Sequence, residues 1–90
     1  MKITVSITDS HIQNGKRGSC QECPVGLSLR NMGFITVNVQ AYYAEVRKGD
    51  RLYEGGLPEK ARQFIDLFDG DEPVKPFSFN LNLKEVSING

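Results

Sequence analysis

The sequence has no tryptophan, one histidine and two cysteines among its 90 residues, and its 11 basic and 11 acidic side chains leave no formal net charge at neutral pH. Binding to a nucleic-acid backbone needs a basic face, which this composition does not supply, so we expect no nucleic-acid partner. A net charge near zero also weakens electrostatic repulsion between copies of the chain. The composition is therefore compatible with a homodimer.

The chain also contains no apolar run near the roughly 20 residues that a membrane helix requires, and its first residues lack the charged and apolar regions of a signal peptide. We therefore expect a cytoplasmic protein without a membrane partner. In that compartment two cysteines are more typical of reduced thiols or a metal pair than of a structural disulfide. With 39% hydrophobic residues, a chain of this length is expected to form one small folded domain over residues 1–90.

Alternation of apolar and polar residues predicts the strands. The apolar phase shifts near Ala41 to Tyr43, which indicates a bulge or a break. Gly55 and Gly56 are expected to end the strand that contains Leu52 and Tyr53. The inward-facing residues of the second strand are expected to be Ile35, Val37 and Val39. The predicted strands cover residues 2–7, 34–39, 42–46, 52–53 and 77–83, and Val86 and Ile88 either extend the last strand or form a tail.

The single histidine, His11, lies in a short segment with helix signals. Thr8 or Asp9 can cap one helical turn there, and Gly15 would end it in the left-handed conformation. His11 has no sequence-adjacent partner for acid–base or nucleophilic chemistry. We therefore interpret it as a surface or edge histidine and expect no catalytic residues.

The next helix has competing start signals. Ser19 and Glu22 match a capping box, whereas Pro24 favours a later start at the first helical position. A tight turn over residues 19–23 that leads into a helix from Pro24 to Met32 satisfies both. Its apolar stripe is Val25, Leu29 and Met32.

The clearest helix is predicted from Leu57 to Asp69, with Pro58 at its first position. Its apolar residues, at helical spacing, are Ala61, Phe64, Ile65 and Phe68. The order of elements predicts an α+β domain, with a mostly antiparallel sheet of four to five strands and two helices on one face. The β-α-β-β-α-β order makes a ferredoxin-like arrangement one option.

The loop before the second helix is the first candidate site. Glycines allow a close approach of the backbone to a ligand, and Lys16 and Arg17 add positive charge beside the amides of a helix start. Together these features favour an anion, with Lys16, Arg17, Gly18 and Ser19 as the expected contacts. The loop matches neither a Walker motif nor G-x-G-x-x-G, and a solvated basic turn is the alternative.

Cys20 and Cys23 form a C-x-x-C motif, where a helix dipole would lower a thiol pKa and favour redox chemistry. The same cysteines could bind zinc with His11 as a third ligand, although a structural site needs a fourth. Thiols that only support the structure are the third interpretation. No cofactor is expected.

An acidic cluster lies at and beyond the C-terminus of the last helix and comprises Asp66, Asp69, Asp71 and Glu72. Negative charge is unfavourable at a helix C-terminus, so the cluster could attract a cation or a basic partner. A hydrated acidic loop is the simpler interpretation.

The chain contains an early segment, N-G-K-R-G-S-C-Q-E-C-P-V-G-L-S-L. It also contains a late segment, L-P-E-K-A-R-Q-F-I-D-L-F-D-G with P-F-S-F-N-L. Together the two segments resemble short uncharacterised reading frames of bacteriophages and prophages. That resemblance implies a small non-enzymatic binding protein that inhibits a host protein or sequesters an anionic small ligand such as a nucleotide. A thiol-redox or zinc-binding protein that uses Cys20 and Cys23 is the alternative.

Overall fold

The computed structural model describes residues 1–86. Its elements are β1 (Lys2–Ile7), α1 (Asp9–Asn14), α2 (Pro24–Asn31), β2 (Thr36–Val39), β3 (Tyr43–Lys48), β4 (Arg51–Gly56), α3 (Glu59–Asp69), β5 (Phe77–Asn82) and β6 (Lys84–Val86). Two strands form one sheet, in the order β1-β5, and four form another, in the order β2-β3-β4-β6. The predicted α+β class is confirmed, with six strands and three helices in this part of the chain.

The ferredoxin-like option is wrong. That arrangement places all of its strands in one sheet, because each β-α-β unit is split by a strand of the other unit. Among residues 1–86, β1 and β5 instead form a sheet of their own, separate from the sheet β2-β3-β4-β6, and all pairings are antiparallel. The structure therefore has two sheets in place of the single sheet expected from the sequence.

β5 and β6 belong to one extended segment that changes its partner at Leu83. The amide of Leu83 donates to the carbonyl of Met1 at 2.6 Å, and the amino group of Met1 donates to the carbonyl of Leu83 at 2.8 Å. Immediately afterwards, Lys84 lies opposite Glu54 of β4. The two sheets therefore meet at this segment. Val86 belongs to β6, and Ile88 lies outside the described residues.

The core lies on one face of each sheet and is covered by the helices. Phe64 of α3 packs against Phe77 of β5, with ring centroids 4.8 Å apart. On the opposite face of β1 and β5, which we call the outer face, the side chains are polar and exposed. There the hydroxyl of Thr4 donates to the side-chain oxygen of Asn80 at 3.0 Å. The buried apolar residues include Val5, Ile7, Val25, Leu29, Phe34, Val37, Val39, Val46, Phe64, Phe79, Leu81 and Leu83.

The central strands agree with the predicted pattern except at two places. The expected break near residue 41 is confirmed as a turn, closed by a hydrogen bond from the amide of Gln40 to the carbonyl of Tyr43 at 2.8 Å. Ile35 is 65% exposed rather than inward, because β2 begins at Thr36, two residues later than predicted, and the buried side chain before the strand is that of Phe34. Gly55 and Gly56 do not end the pattern but form the last two residues of β4.

Gly55 is required at its position by a close approach of two backbones. A Cβ atom there would overlap the carbonyl oxygen of Asn82, where β4 passes the end of β5. Glycine within a strand often marks such an approach. The prediction that this residue breaks the strand was wrong because its role is packing between strands.

α1 and α2 begin where the capping signals indicate, whereas α3 begins at Glu59 and Pro58 is its N-cap rather than its first helical residue. Thr8 caps α1, with its hydroxyl accepting from the His11 amide, but Gly15 is extended rather than left-handed. The turn over residues 19–23 leads into α2 at Pro24, as predicted. Met32 follows the helix and is 38% exposed, so it does not share the buried stripe of Val25 and Leu29.

Candidate functional site

The loop that carries the predicted anion contacts is closed on itself and fastened to β2. The amide of Lys16 donates to the carbonyl of Glu22 at 2.8 Å, and the amide of Glu22 donates to the hydroxyl of Ser19 at 2.9 Å. The amide of Val39, on the outer edge of β2, donates to the carbonyl of Cys20 at 2.6 Å. Hydrogen bonds within the chain therefore fix the conformation of the loop and its position beside β2.

Carboxylates of the same chain already compensate the basic groups of this loop. The ammonium group of Lys16 lies 2.8 Å from the carboxylate of Glu22. Their hydrogen bond and mutual attraction raise the pKa of Lys16 and lower the pKa of Glu22. Arg17 forms an ion pair with Asp71. An anion at the loop would have to compete with these carboxylates.

The predicted basic loop and the predicted acidic cluster lie side by side. The amide of Gly18 donates to the carboxylate of Asp69 at 3.0 Å, and the guanidinium of Arg17 lies over the ring of Phe68 at 6.0 Å. Asp69 and Asp71 therefore close the C-terminal end of α3 onto the loop. These interactions supply an internal role for residues that the sequence analysis treated as two separate sites.

Cys23 supports the start of α2 and is buried, with 4% of its surface exposed. Its sulfur accepts a hydrogen bond from the amide of Gly26 at 3.4 Å, and a Cβ at Gly26 would overlap the carbonyl oxygen of Gln21. Burial raises the pKa of the Cys23 thiol despite the backbone hydrogen bonds to the sulfur. The expected lowering of a thiol pKa by the helix start is therefore wrong for Cys23.

Cys20 is exposed, and neither cysteine forms a disulfide. Both line a small groove of about 190 Å³ that also includes Asp66 and Asp69. No group of three or more His, Cys, Asp or Glu side chains among residues 1–86 has the arrangement of a metal site. The zinc alternative therefore receives no support from the described part of the chain.

His11 is buried rather than on the surface, so the interpretation as a surface histidine is wrong. Its Nδ1 accepts a hydrogen bond from the amide of Thr8 at 3.0 Å, and its Nε2 lies 2.9 Å from the side-chain amide of Asn31. The ring joins the start of α1 to the C-terminal end of α2, whereas Cys23 lies at the opposite end of α2. The structure therefore does not bring His11 and the cysteines together.

A larger groove, which the sequence analysis missed, lies where β4 approaches the last strands. It measures about 560 Å³, and we call it the Tyr43 groove; its lining residues are Tyr43, Glu54, Gly55, Gly56, Asn82 and Lys84. Tyr43 lies opposite Gly56 in the β3–β4 register. Because Gly56 has no side chain, the Tyr43 ring stands beside bare backbone.

A second groove of about 440 Å³ follows along β5, and we call it the Ser78 groove; its lining residues are Thr4, Pro58, Lys60, Ser78, Phe79 and Asn80. It exists because β4 ends at Gly56 and the chain then turns away into α3. Asn82 lines the first groove and Asn80 the second. The two grooves therefore succeed one another along the same strand.

Both grooves are shallow. Of the six residues that line the Tyr43 groove, Gly55 is buried and the other five are exposed. Sites for small molecules typically bury about 70–90% of the ligand surface, which so open a groove does not allow. Tyr42, the preceding residue in the chain, is 71% exposed, and the guanidinium of Arg62 lies over its ring at 5.8 Å. Such a surface suits contact with a macromolecule better than enclosure of a small ligand.

The sequence carries one signal for this surface. Two consecutive glycines in a strand indicate a place where another backbone or a ligand comes close. Apart from Glu54 of the same strand, the residues that line the groove with Gly55 and Gly56 come from β3, β5 and β6, and no periodicity relates them. Assembly of the groove therefore depends on strand register, which local patterns do not specify.

No family model, curated protein or solved structure matches this chain. No helix among residues 1–86 is long and apolar enough to cross a membrane.

Proposed function

We propose that this chain is a small non-enzymatic binding protein of phage or prophage origin, which binds to a host protein and inhibits it. Its docking surface comprises the Tyr43 groove and the exposed ring of the preceding residue, Tyr42. The observation that carries the proposal is the exposure of the two consecutive rings, 71% for Tyr42 and 42% for Tyr43, together with a groove that Tyr43 lines with glycine backbone. The resemblance to short phage reading frames supports a host protein as the partner.

Exposed tyrosines are suited to this role. A tyrosine ring supplies a large apolar contact area while its hydroxyl keeps a hydrogen-bond partner, and tyrosine is enriched among residues that dominate binding energy. The ring of Tyr42 is held in place by Arg62, which reduces the entropy lost on binding. A shallow aromatic surface of this kind favours protein contact over sequestration of an anionic small ligand.

The capture of an anionic ligand such as a nucleotide at Lys16, Arg17, Gly18 and Ser19 is the second candidate. It rests on the two cations and the loop amides, which face competition from Glu22, Asp69 and Asp71. Thermal stabilisation by a panel of nucleotides and inorganic phosphate that disappears in a Lys16→Ala/Arg17→Ala variant would favour it over the protein-binding proposal.

Affinity purification from the cells that naturally contain the protein tests the proposal. The bait is the wild-type chain, a Tyr42→Thr/Tyr43→Thr variant, or an Ile35→Thr control that changes an equally exposed apolar residue elsewhere on the surface. Threonine retains the strand propensity of the replaced residues. We expect one host protein to be retained by the wild type and the control.

The double tyrosine variant should retain that protein at least about thirtyfold less strongly, since truncation of a hot-spot residue costs about 2 kcal/mol or more. Circular dichroism of each bait checks that it is folded. Equal retention by the double variant and the wild type would contradict the proposal. So would the absence of any protein that the wild type retains and the double variant loses.

A further inference from the structure

The backbone of β5 has one paired side and one open side. Met1 and Leu83 exchange both of their backbone hydrogen bonds. In an antiparallel ladder such pairs alternate with pairs whose backbone groups point away from each other. The β1–β5 register then directs the N–H and C=O groups of Phe79 and Leu81 at β1. The same groups of Ser78 and Asn80 point away from it.

An independent contact supports this alternation. Ser6 lies opposite Ser78 in the register, so its backbone groups should also point away from the partner strand. The hydroxyl of Ser28, in α2, donates to the carbonyl of Ser6 at 2.7 Å. The carbonyl of Ser6 is therefore turned outward, as the alternation requires.

The open side of β5 faces the Ser78 groove. β4 pairs with the extended segment at residues 84–86, and no strand of the described chain pairs with that side of Ser78 and Asn80. The chain beyond β4 turns away through Pro58 into α3, which leaves the groove between Lys60 and the strand edge. The space in line with β4, beside Ser78 and Asn80, therefore holds no strand of this part of the chain.

Natural proteins block strand edges with lysine, proline or a bulge, because an open edge is a template for another chain. The exposed edge of β1 begins with Lys2, which is such a device. At residues 78–80 the sequence is Ser-Phe-Asn, and the β1–β5 register runs through it without interruption. Residues 78–80 themselves therefore carry none of these devices, and Pro58 and Lys60 lie across the groove from them.

We infer that an extended, acidic segment of the host protein adds to β5 as a strand in the Ser78 groove; the inference rests on the proposed function. Its backbone pairs with the outward groups of Ser78 and Asn80, which is the β-augmentation mode of peptide recognition. The strand lies in line with β4, and its end reaches the Tyr43 groove beside Asn82.

The charge of the groove selects an acidic segment. Lys60 lines the groove and takes part in no ion pair with another residue of the 1–86 region. At the other end, Lys84 lies opposite Glu54 across β4 and β6, and opposite charges at such cross-strand positions attract each other. Lys60 is thus the cation that a carboxylate of the added strand meets.

Replacement of Ser78 by proline tests the inference with a matched control. Proline removes one N–H, and it is tolerated in an edge strand where that N–H faces solvent. Ser78→Pro should therefore fold and retain its pairing with β1, whereas Phe79→Pro should unfold the sheet. The control Ser78→Ala retains the amide and shortens the side chain.

The probe is a displayed library of random heptapeptides selected on the wild-type protein. We expect enriched peptides with alternating β-branched residues and at least one acidic residue. Ser78→Pro should weaken their binding about tenfold or more, because it removes one backbone hydrogen bond to the added strand. A tenfold change in affinity corresponds to about 1.4 kcal/mol. Lys60→Glu should weaken it similarly, and Ser78→Ala should bind within about twofold of the wild type.

Several results would overturn the inference. They are a selection without enrichment, equal binding by Ser78→Pro and the wild type, or fast amide exchange at Phe79 with slow exchange at Ser78. A dimer that dissociates in the Ser78→Pro variant would identify a second copy of this chain as the occupant instead. If Ser78→Pro retains the host protein and the double tyrosine variant loses it, strand addition is wrong and the proposed function stands.

Discussion

At the scale of single residues, the candidate chemical groups of this chain serve the fold. Cys23 caps α2 through its sulfur, and His11 joins α1 to α2 through both ring nitrogens. Residue type and spacing left thiol chemistry open at Cys23, and a shared zinc site open at Cys23 and His11. The sequence does not report burial at a helix end, and burial decides whether a thiol or an imidazole is available for chemistry.

The two cysteines should differ in reactivity and in their contribution to stability. An aromatic disulfide reagent should label Cys20 quickly in the native protein, and Cys23 only as fast as the protein opens, since the buried neutral thiol is a poor nucleophile. Cys23→Ala should lower the free energy of unfolding by about 1–2 kcal/mol through the lost cap and packing. Cys20→Ala should change it by less than about 0.5 kcal/mol.

The raised pKa of Cys23 also predicts a pH dependence. Because the folded state favours the neutral thiol, its stabilising contribution is fully present below the ordinary thiol pKa of about 8.5. It is lost as the pH rises through the folded-state pKa. The difference in Tm between the wild type and Cys23→Ala should therefore shrink from pH 8 upward. Rapid labelling of both thiols at neutral pH would contradict this account of Cys23.

At the scale of elements, alternation and capping signals located most helices and strands. The apolar positions of β1 and β5 and the start of α2 at Pro24 follow from local patterns. The change of partner at Leu83 does not, because it depends on the position of Met1. The pairing of Arg17 with Asp71, 54 positions apart, is likewise a result of tertiary structure. Local sequence therefore indicated a basic site and a separate acidic site, whereas in the fold the two segments contact each other.

Gly55 and Gly56 provide a test of how β4 meets β5. A Cβ at Gly55 would overlap the carbonyl oxygen of Asn82, whereas a Cβ at Gly56 would meet no atom within 4 Å. Gly55→Ala should therefore lower the free energy of unfolding by about 1–3 kcal/mol, the usual cost of overpacking. Gly56→Ala should change it by about 0.5 kcal/mol or less in either direction. Equal effects of the two changes in denaturant unfolding would show that this approach is not close.

At the scale of the whole molecule, the two sheets share one extended segment, and the grooves follow from that arrangement. β4 pairs with the far end of the segment and then turns away into α3, which leaves the edge of β5 and the backbone beside Tyr43 open. The loop over residues 15–23 lies elsewhere, closed by its own ion pairs. We therefore propose that the host protein binds along β5 and the tyrosines, away from the loop that the sequence favoured.

Hydrogen–deuterium exchange of the protein, alone and in complex with the retained host protein, tests this claim most directly. We predict that binding slows exchange in peptides that cover residues 77–82 and in those that cover residues 42–56, and leaves residues 15–23 unchanged. Slower exchange confined to residues 15–23, with residues 77–82 unaffected, would contradict the account and return the site to the basic loop.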